Sequence, residues 1–191
     1  MTRHGLRVDA AAVVLLATLM VIPAGVAGSG RMSVDQLADN SDAIVYARVI
    51  VIHPYWDPGT QAIWTRTDLQ VLDAPKGNLG SLLSIAEPGG ILPGRGEIYP
   101  GIPQFRVGQE VVLFLYRAPG NRLRITGLLQ GVYMVSADRL TGARVARPAV
   151  ASAEAVYEEG SAYAPAIRQK VEKPEALSRF LMVLREKGKA R

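Results

Sequence analysis

The sequence contains no cysteine. The chain therefore has no disulfide bond, no thiol nucleophile and no thiolate ligand for zinc or an iron–sulfur cluster. Histidine is nearly as scarce, since His4 and His53 are the only two in 191 residues. Because His4 falls in the predicted leader described below, a zinc site built on paired histidines is excluded as well.

Motifs of the common catalytic sites are also missing. No serine lies in a G-x-S-x-G elbow, and a Ser-His-Asp triad would have to use His53. The glycine-rich segment 88–96 lacks the Lys-Ser/Thr ending of a phosphate-binding P-loop. Acidic residues are present, but the sequence does not place two of them across a substrate at the separation that glycosidases use. We therefore predict no catalytic residue, no metal and no cofactor, with a hydrolase that uses carboxylates as the alternative.

Residues 1–27 have the pattern of a signal peptide. Arg3 and Arg7 precede the apolar run Ala10–Ile22, which ends before the small residues Gly25-Val26-Ala27. A membrane anchor is the alternative, but the run is shorter than the roughly 18–20 residues that span a bilayer. We expect an exported protein, periplasmic or extracellular. The chain's net charge of +5 is modest, so nucleic acid is not an expected partner.

The six residues Val111–Tyr116 are the centre of the predicted fold. They form the sequence VVLFLY, which is apolar throughout and rich in strand-forming residues. A continuous apolar run of this length predicts a strand that is buried on both faces. Pro119-Gly120-Asn121 predicts a turn after it. Further strands are predicted at Ala43–Ile52, Ile63–Leu72, Leu82–Ala86, Leu123–Thr126 and Val132–Val135.

The closely spaced strands, with glycines at their corners, predict a mainly β fold. Residues 28–146 are expected to form a small barrel of five to six strands, OB-like or NTR-like, with a short N-terminal helix. The capping-box pair Ser33 and Gln36 predicts that helix over Val34–Asn40. Residues 147–173 are predicted to be a linker.

Residues 174–191 are predicted to form an amphipathic helix with a basic tail. Pro174 suits the first turn of a helix. Leu177, Phe180, Leu181 and Leu184 follow the helical repeat and form one apolar stripe. We expect this stripe to dock on the barrel, and contact with a membrane surface is the alternative.

One group of residues has the composition of a ligand contact. His53, Tyr55, Trp56 and Asp57 lie in the predicted loop 53–61, and Trp64 follows on the polar face of the next strand. Exposed aromatic rings beside polar groups bind sugars, peptides or bases. These five residues predict a contact surface for a protein, peptide or glycan. The alternative is that both tryptophans cover one end of the barrel. The long loop 88–103 is predicted to be functional or mobile.

Several short motifs occur in order within Ser41–Val135. They are Asp42-Ala43-Ile44-Val45, Trp64-Thr65-x-Thr67, Lys76-Gly77, Glu87-x-Gly89-Gly90, Pro103-x-Phe105-x-x-Gly108-x-Glu110 and Gly127-x-x-Gln130-Gly131. As a set they resemble a family of uncharacterised exported bacterial proteins and, more distantly, the OB-like barrels of the netrin/TIMP type. The resemblance implies a barrel of five or six strands, often a binding module, with no catalytic residues.

TIMP-type inhibitors use an N-terminal cysteine to reach the zinc of a metalloprotease, and this chain has no cysteine. That inhibitory chemistry is therefore not implied here. An accessory or inhibitory partner of an exported protease is a third alternative for the function.

Overall fold

The computed structural model describes residues 31–150 and 174–189. The predicted signal peptide and residues 151–173 of the predicted linker lie outside these residues. The described chain is mainly β, with a large sheet and two helices. The helices are α1 (Val34–Asp39) and α2 (Leu177–Lys189). The strands are β1 (Ala43–Asp57), β2 (Ala62–Lys76), β3 (Leu82–Pro88), β4 (Gly90–Leu92), β5 (Arg95–Glu97), β6 (Glu110–Ala118), β7 (Arg122–Ile125), β8 (Val132–Ala137), β9 (Arg144–Pro148) and β10 (Glu175–Ala176).

Eight strands form the large sheet in the order β1-β2-β3-β7-β6-β8-β9-β10, and β6 also pairs with β1. The pairs are antiparallel except for β3 and β7, which are parallel and meet at Ile85 and Leu123. Strands β4 and β5 form a separate hairpin within the segment that was predicted as the loop 88–103. Strand β6 therefore has β1, β7 and β8 as partners, which agrees with its predicted central place.

Strand β6 is buried on both faces, as its sequence predicts. Its residues Val111–Leu115 are fully buried. Val111, Leu113 and Leu115 belong to one apolar cluster, which β1, β2 and β3 complete. Val112 and Phe114 belong to a second cluster, which both helices complete. The run is continuous rather than alternating because neither face of the strand meets water.

Both predicted helices form. Ser33 and Gln36 make the two reciprocal hydrogen bonds of a capping box at the start of α1. In α2 the predicted apolar stripe is buried, and the rings of Phe180 and Tyr133 lie 4.7 Å apart. Within residues 31–150 and 174–189 no helix is long and apolar enough to cross a membrane.

The predicted start of the C-terminal helix is wrong. Glu175 and Ala176 pair with Ala146 and Val145 of β9, so they are extended and α2 begins only at Leu177. The backbone bonds to β9 hold these two residues out of the helix. The predicted linker boundary shifts too, since β9 continues to Pro148.

A β-bulge in β1 changes which face of the sheet the residues after Val49 occupy. Strict alternation along the predicted strand Ala43–Ile52 would place Val51 on the same face as Val49. Val49 pairs with Leu69 and Val51 pairs with Asp68, so one additional residue lies in β1 between the two pairs. The extra residue reverses the alternation. Val51 is consequently 43% exposed, and Ile52 packs against the core instead.

The prediction of a loop over 53–61 is also wrong. Strand β1 runs on to Asp57 and β2 starts at Ala62, so only residues 58–61 make the turn. Pro54 is accommodated because the pairing of β1 with β6 ends at Arg48, which leaves Pro54 at a sheet edge. Asp57 closes the turn by accepting a hydrogen bond of 2.9 Å from the Gly59 N–H.

Candidate functional site

The five residues predicted to contact a ligand divide between two faces of the β1–β2 hairpin. His53 pairs with Arg66, and Tyr55 pairs with Trp64. Trp56 pairs with Ile63, which is fully buried, and so belongs to the other face. The residues predicted to form one contact surface therefore lie on two neighbouring surfaces of the hairpin.

The first surface is a cleft of about 450 Å³, here called the arginine cleft. Its polar lining comes from His53, Tyr55, Arg66, Ser84 and Arg122. Apolar lining comes from Ile85, Ala86 and Leu123. The cleft lies beside the seam where β3 and β7 pair at a single position.

The Trp64 ring is held beside this cleft by three side chains. Its Nε1 donates a hydrogen bond of 2.7 Å to the Thr60 hydroxyl. The guanidinium carbons of Arg122 and Arg124 lie 5.3 and 5.4 Å from the ring centre, within cation–π distance. Because two guanidinium groups already lie against the indole, it offers less open ring surface to a sugar than the sequence indicated.

A carboxylate anchors each of these two arginines. Asp57 lies 3.3 Å from Arg122, and its side chain is 10% exposed. The Gly59 N–H and then Arg122 lower the pKa of Asp57 below its ordinary value, so this carboxyl is ionised at neutral pH. Glu87 accepts from Arg124 at 2.8 Å and from the Ile125 N–H at 2.7 Å.

Sequence reasoning missed Arg122, Arg124 and Glu87. The spacing of Arg122 and Arg124 was a local signal for these two arginines, because residues two apart in a strand project from the same face of the sheet. Glu87 carries no such local mark, since its partners lie more than 30 residues away in sequence.

The second surface is a cavity of about 240 Å³, here called the apolar pocket. One wall is formed by the β1–β2 hairpin and includes Ile52 and Pro54. The opposite wall is the segment 88–105, including Ile98, Ile102 and Phe105.

Gly90 brings the two walls of the pocket together. Its φ of 144° suits glycine, and a Cβ there would lie 2.5 Å from the Thr65 hydroxyl oxygen. The same hydroxyl donates a hydrogen bond of 2.6 Å to the Gly89 carbonyl. The glycine pair therefore sets the β4–β5 hairpin directly against β2.

Large side chains are exposed beside the apolar pocket. Ile91 and Ile98 are each 73% exposed, and Tyr99 is 41% exposed. Trp56 is 40% exposed, and the Arg95 guanidinium lies 4.1 Å from the centre of its ring. Exposed apolar residues that gather at one opening are typical of an interaction site.

Two carboxylates, Glu87 and Glu97, also line the apolar pocket. Glu97 accepts hydrogen bonds from the Ile63 N–H at 2.9 Å, from Arg95 and from the Tyr99 hydroxyl. These donors, the Ile63 N–H above all, lower the pKa of Glu97 below its ordinary value. Burial and the Glu97 charge raise the pKa of Tyr99. A carboxyl that serves as a general acid needs a raised pKa. The lowered pKa of Glu97 is opposite to that requirement.

Among the described residues no group of three or more His, Asp or Glu side chains is placed to hold a metal ion. Every buried side-chain nitrogen and oxygen in the described part of the chain has a hydrogen-bond partner. The comparisons with known proteins found no matching family model, no similar curated protein and no similar solved structure.

Proposed function

We propose that the protein is an exported, non-catalytic binding module for a protein or peptide. The observation that carries this proposal is the apolar pocket with exposed Ile91, Ile98 and Tyr99 beside it. Exposed isoleucines beside an open cavity lose contact with water only when a partner covers them.

The lining of the pocket selects an apolar group. Three of its polar members are already engaged with the protein itself: Thr65 with the Gly89 carbonyl, Glu97 with the Ile63 N–H and Glu87 with Arg124. The volume of about 240 Å³ exceeds the roughly 150 Å³ of an engineered cavity that binds benzene. One large apolar side chain of a partner fits these dimensions.

The exposed residues also have the composition of a protein interface. Tryptophan, tyrosine and arginine are the residues enriched at the centres of such interfaces, and Trp56, Tyr99 and Arg95 lie together here. A glycan would need open aromatic faces for stacking. Because Arg95 covers Trp56 and two arginines approach Trp64, we favour a protein or peptide over a glycan.

We further propose that the described strands form an OB-like barrel. Following the pairings from β1 through β2, β3, β7 and β6 leads back to β1. Five strands paired in a ring, with one parallel contact between β3 and β7, support closure. Each of the five strands contributes side chains to the first apolar cluster, which would be the barrel interior.

A charged side chain at the opening of the apolar pocket is expected to weaken binding of the partner. In a pull-down from the envelope and medium of the producing cell, Ile98→Glu should retain less of the partner that the unaltered protein captures. A residue at the centre of an interface contributes about 2 kcal/mol or more, so the affinity should fall roughly 30-fold. Ile98 is exposed, and the variant should melt at the unaltered temperature.

Leu140→Glu is the matched control. Leu140 is 96% exposed in the turn between β8 and β9 and does not line the pocket. The proposal is contradicted if Ile98→Glu retains the partner as well as Leu140→Glu does. It is also contradicted if partner loss only follows a loss of stability.

Export itself is proposed from the sequence pattern of residues 1–27. The intact mass of the protein recovered outside the cytoplasm should correspond to a chain that begins near residue 28. A recovered protein whose mass still includes residues 1–27 would exclude a cleaved signal peptide.

A further inference from the structure

We propose that the arginine cleft binds a carboxylate of an acidic peptide segment. The choice of a peptide rests on the proposed function, whereas the anion site rests on the cleft alone. The inference concerns the face of the β1–β2 hairpin that carries Tyr55 and Trp64, away from the apolar pocket.

The charges that line the cleft are all of one sign. Its charged lining residues are Arg66 and Arg122, and none of its described lining residues is aspartate or glutamate. The side chains of Arg66 and Arg122 are 52% and 44% exposed. Both side chains are therefore accessible from solvent.

Both arginines are held in place before any ligand arrives. Arg122 is fixed by Asp57 and by the Trp64 ring, and Asp57 is itself fixed by the Gly59 N–H. Arg66 is fixed by Asp68, at 3.2 Å from its Nε. A guanidinium that is already ordered loses less conformational entropy when it binds.

Free donors remain after these contacts. A guanidinium has five N–H donors, and within residues 31–150 and 174–189 Arg122 makes one hydrogen bond, of 3.3 Å, to Asp57. Arg66 uses its Nε and one terminal nitrogen on Asp68. The remaining N–H groups match the two oxygens of a carboxylate, which arginine binds in a fork geometry.

Direct hydrogen bonds, and not a long-range field, account for the expected selectivity. The three arginines around the cleft are accompanied by three carboxylates, since Arg66 pairs with Asp68, Arg122 with Asp57 and Arg124 with Glu87. The local charge is thus nearly balanced, and the anion must reach the open N–H groups themselves. Ala86 and Leu123 beside the arginines suit an apolar residue next to the acidic one.

The test uses a labelled synthetic peptide in which glutamates alternate with leucines, and a twin in which glutamines replace the glutamates. We expect the purified protein to bind the glutamate peptide at least tenfold more tightly than its twin. Arg122→Gln and Arg66→Gln should each reduce this preference at least threefold, and the double variant should abolish it. Arg122→Lys keeps the charge but loses the fork, and should give an intermediate preference with an unchanged melting temperature.

Arg179→Gln is the matched control, because Arg179 lies on α2, is 76% exposed and does not line the cleft. It should bind the glutamate peptide as the unaltered protein does. Ile98→Glu should keep the full preference for the glutamate peptide over its glutamine twin, which separates this inference from the proposed function of the apolar pocket. Equal binding of the two peptides, or a preference that survives the double variant, overturns the proposal. Binding of polygalacturonate without binding of the glutamate peptide overturns it too, in favour of an acidic glycan.

Discussion

Replacing Phe114 with alanine is expected to lower the free energy of unfolding by about 3–5 kcal/mol, the usual loss for a buried phenylalanine. The side chain is fully buried. Its ring lies 5.9 Å from that of Tyr133, and both rings share a cluster with the stripe of α2. The alanine variant leaves a cavity that the strand and the helix can fill only in part by moving closer together. Because a domain of this size is stable by only about 5–15 kcal/mol, the loss is a large fraction of the total.

Denaturant melts of the unaltered protein and the variant measure this loss. Leu82→Ala is a suitable control, since Leu82 is an apolar strand residue that is 64% exposed. Its cost should stay within about 0.5 kcal/mol, as for most surface substitutions. A Phe114→Ala loss below about 1 kcal/mol would show that the second apolar cluster is not part of the folded core.

The parts of the fold that could be predicted from the sequence are those that depend on local pattern. Six apolar residues in a row identified β6, because a strand buried on both faces has no polar positions. The stripe that contains Phe180 identified α2, and the pair of Ser33 and Gln36 identified the start of α1. In each case the residues that determine the element are neighbours in the chain.

Pairing between distant strands accounts for what the sequence did not reveal. The bulge beside Val49 is visible only in the register of β1 against β2. Pro54 indicated a loop by composition, yet it lies in β1. A proline is tolerated there because β6 does not pair with that part of β1, which leaves Pro54 at an edge of the sheet.

The candidate surfaces were only partly predictable for the same reason. Tyr55 and Trp56 are adjacent in sequence, but in a strand adjacent side chains project from opposite faces. The sequence prediction treated them as members of one loop and so placed them in one patch. The ion pair of Arg122 with Asp57 joins residues 65 positions apart, and no spacing rule finds it.

Replacing Glu87 with alanine is expected to lower the free energy of unfolding by about 3–5 kcal/mol, the usual loss when one partner of a buried ion pair is removed. The Glu87 side chain is 6% exposed and that of Arg124 is 23% exposed. Strands β3 and β7 pair at one position, so the Glu87 carboxylate supplies bonds that a longer ladder would otherwise make. The variant leaves a largely buried guanidinium and the Ile125 N–H without their acceptor.

A double-mutant cycle with Arg124→Ala isolates this contact in urea melts. Because the two residues interact directly, the double variant should cost less than the sum of the single variants. Glu87→Gln keeps an oxygen for the Ile125 N–H and should cost less than Glu87→Ala. Arg179→Ala breaks an exposed pair with Glu175 and should cost less than about 1 kcal/mol. Additive losses for Glu87→Ala and Arg124→Ala would mean that the carboxylate does not join β3 to β7 through this arginine.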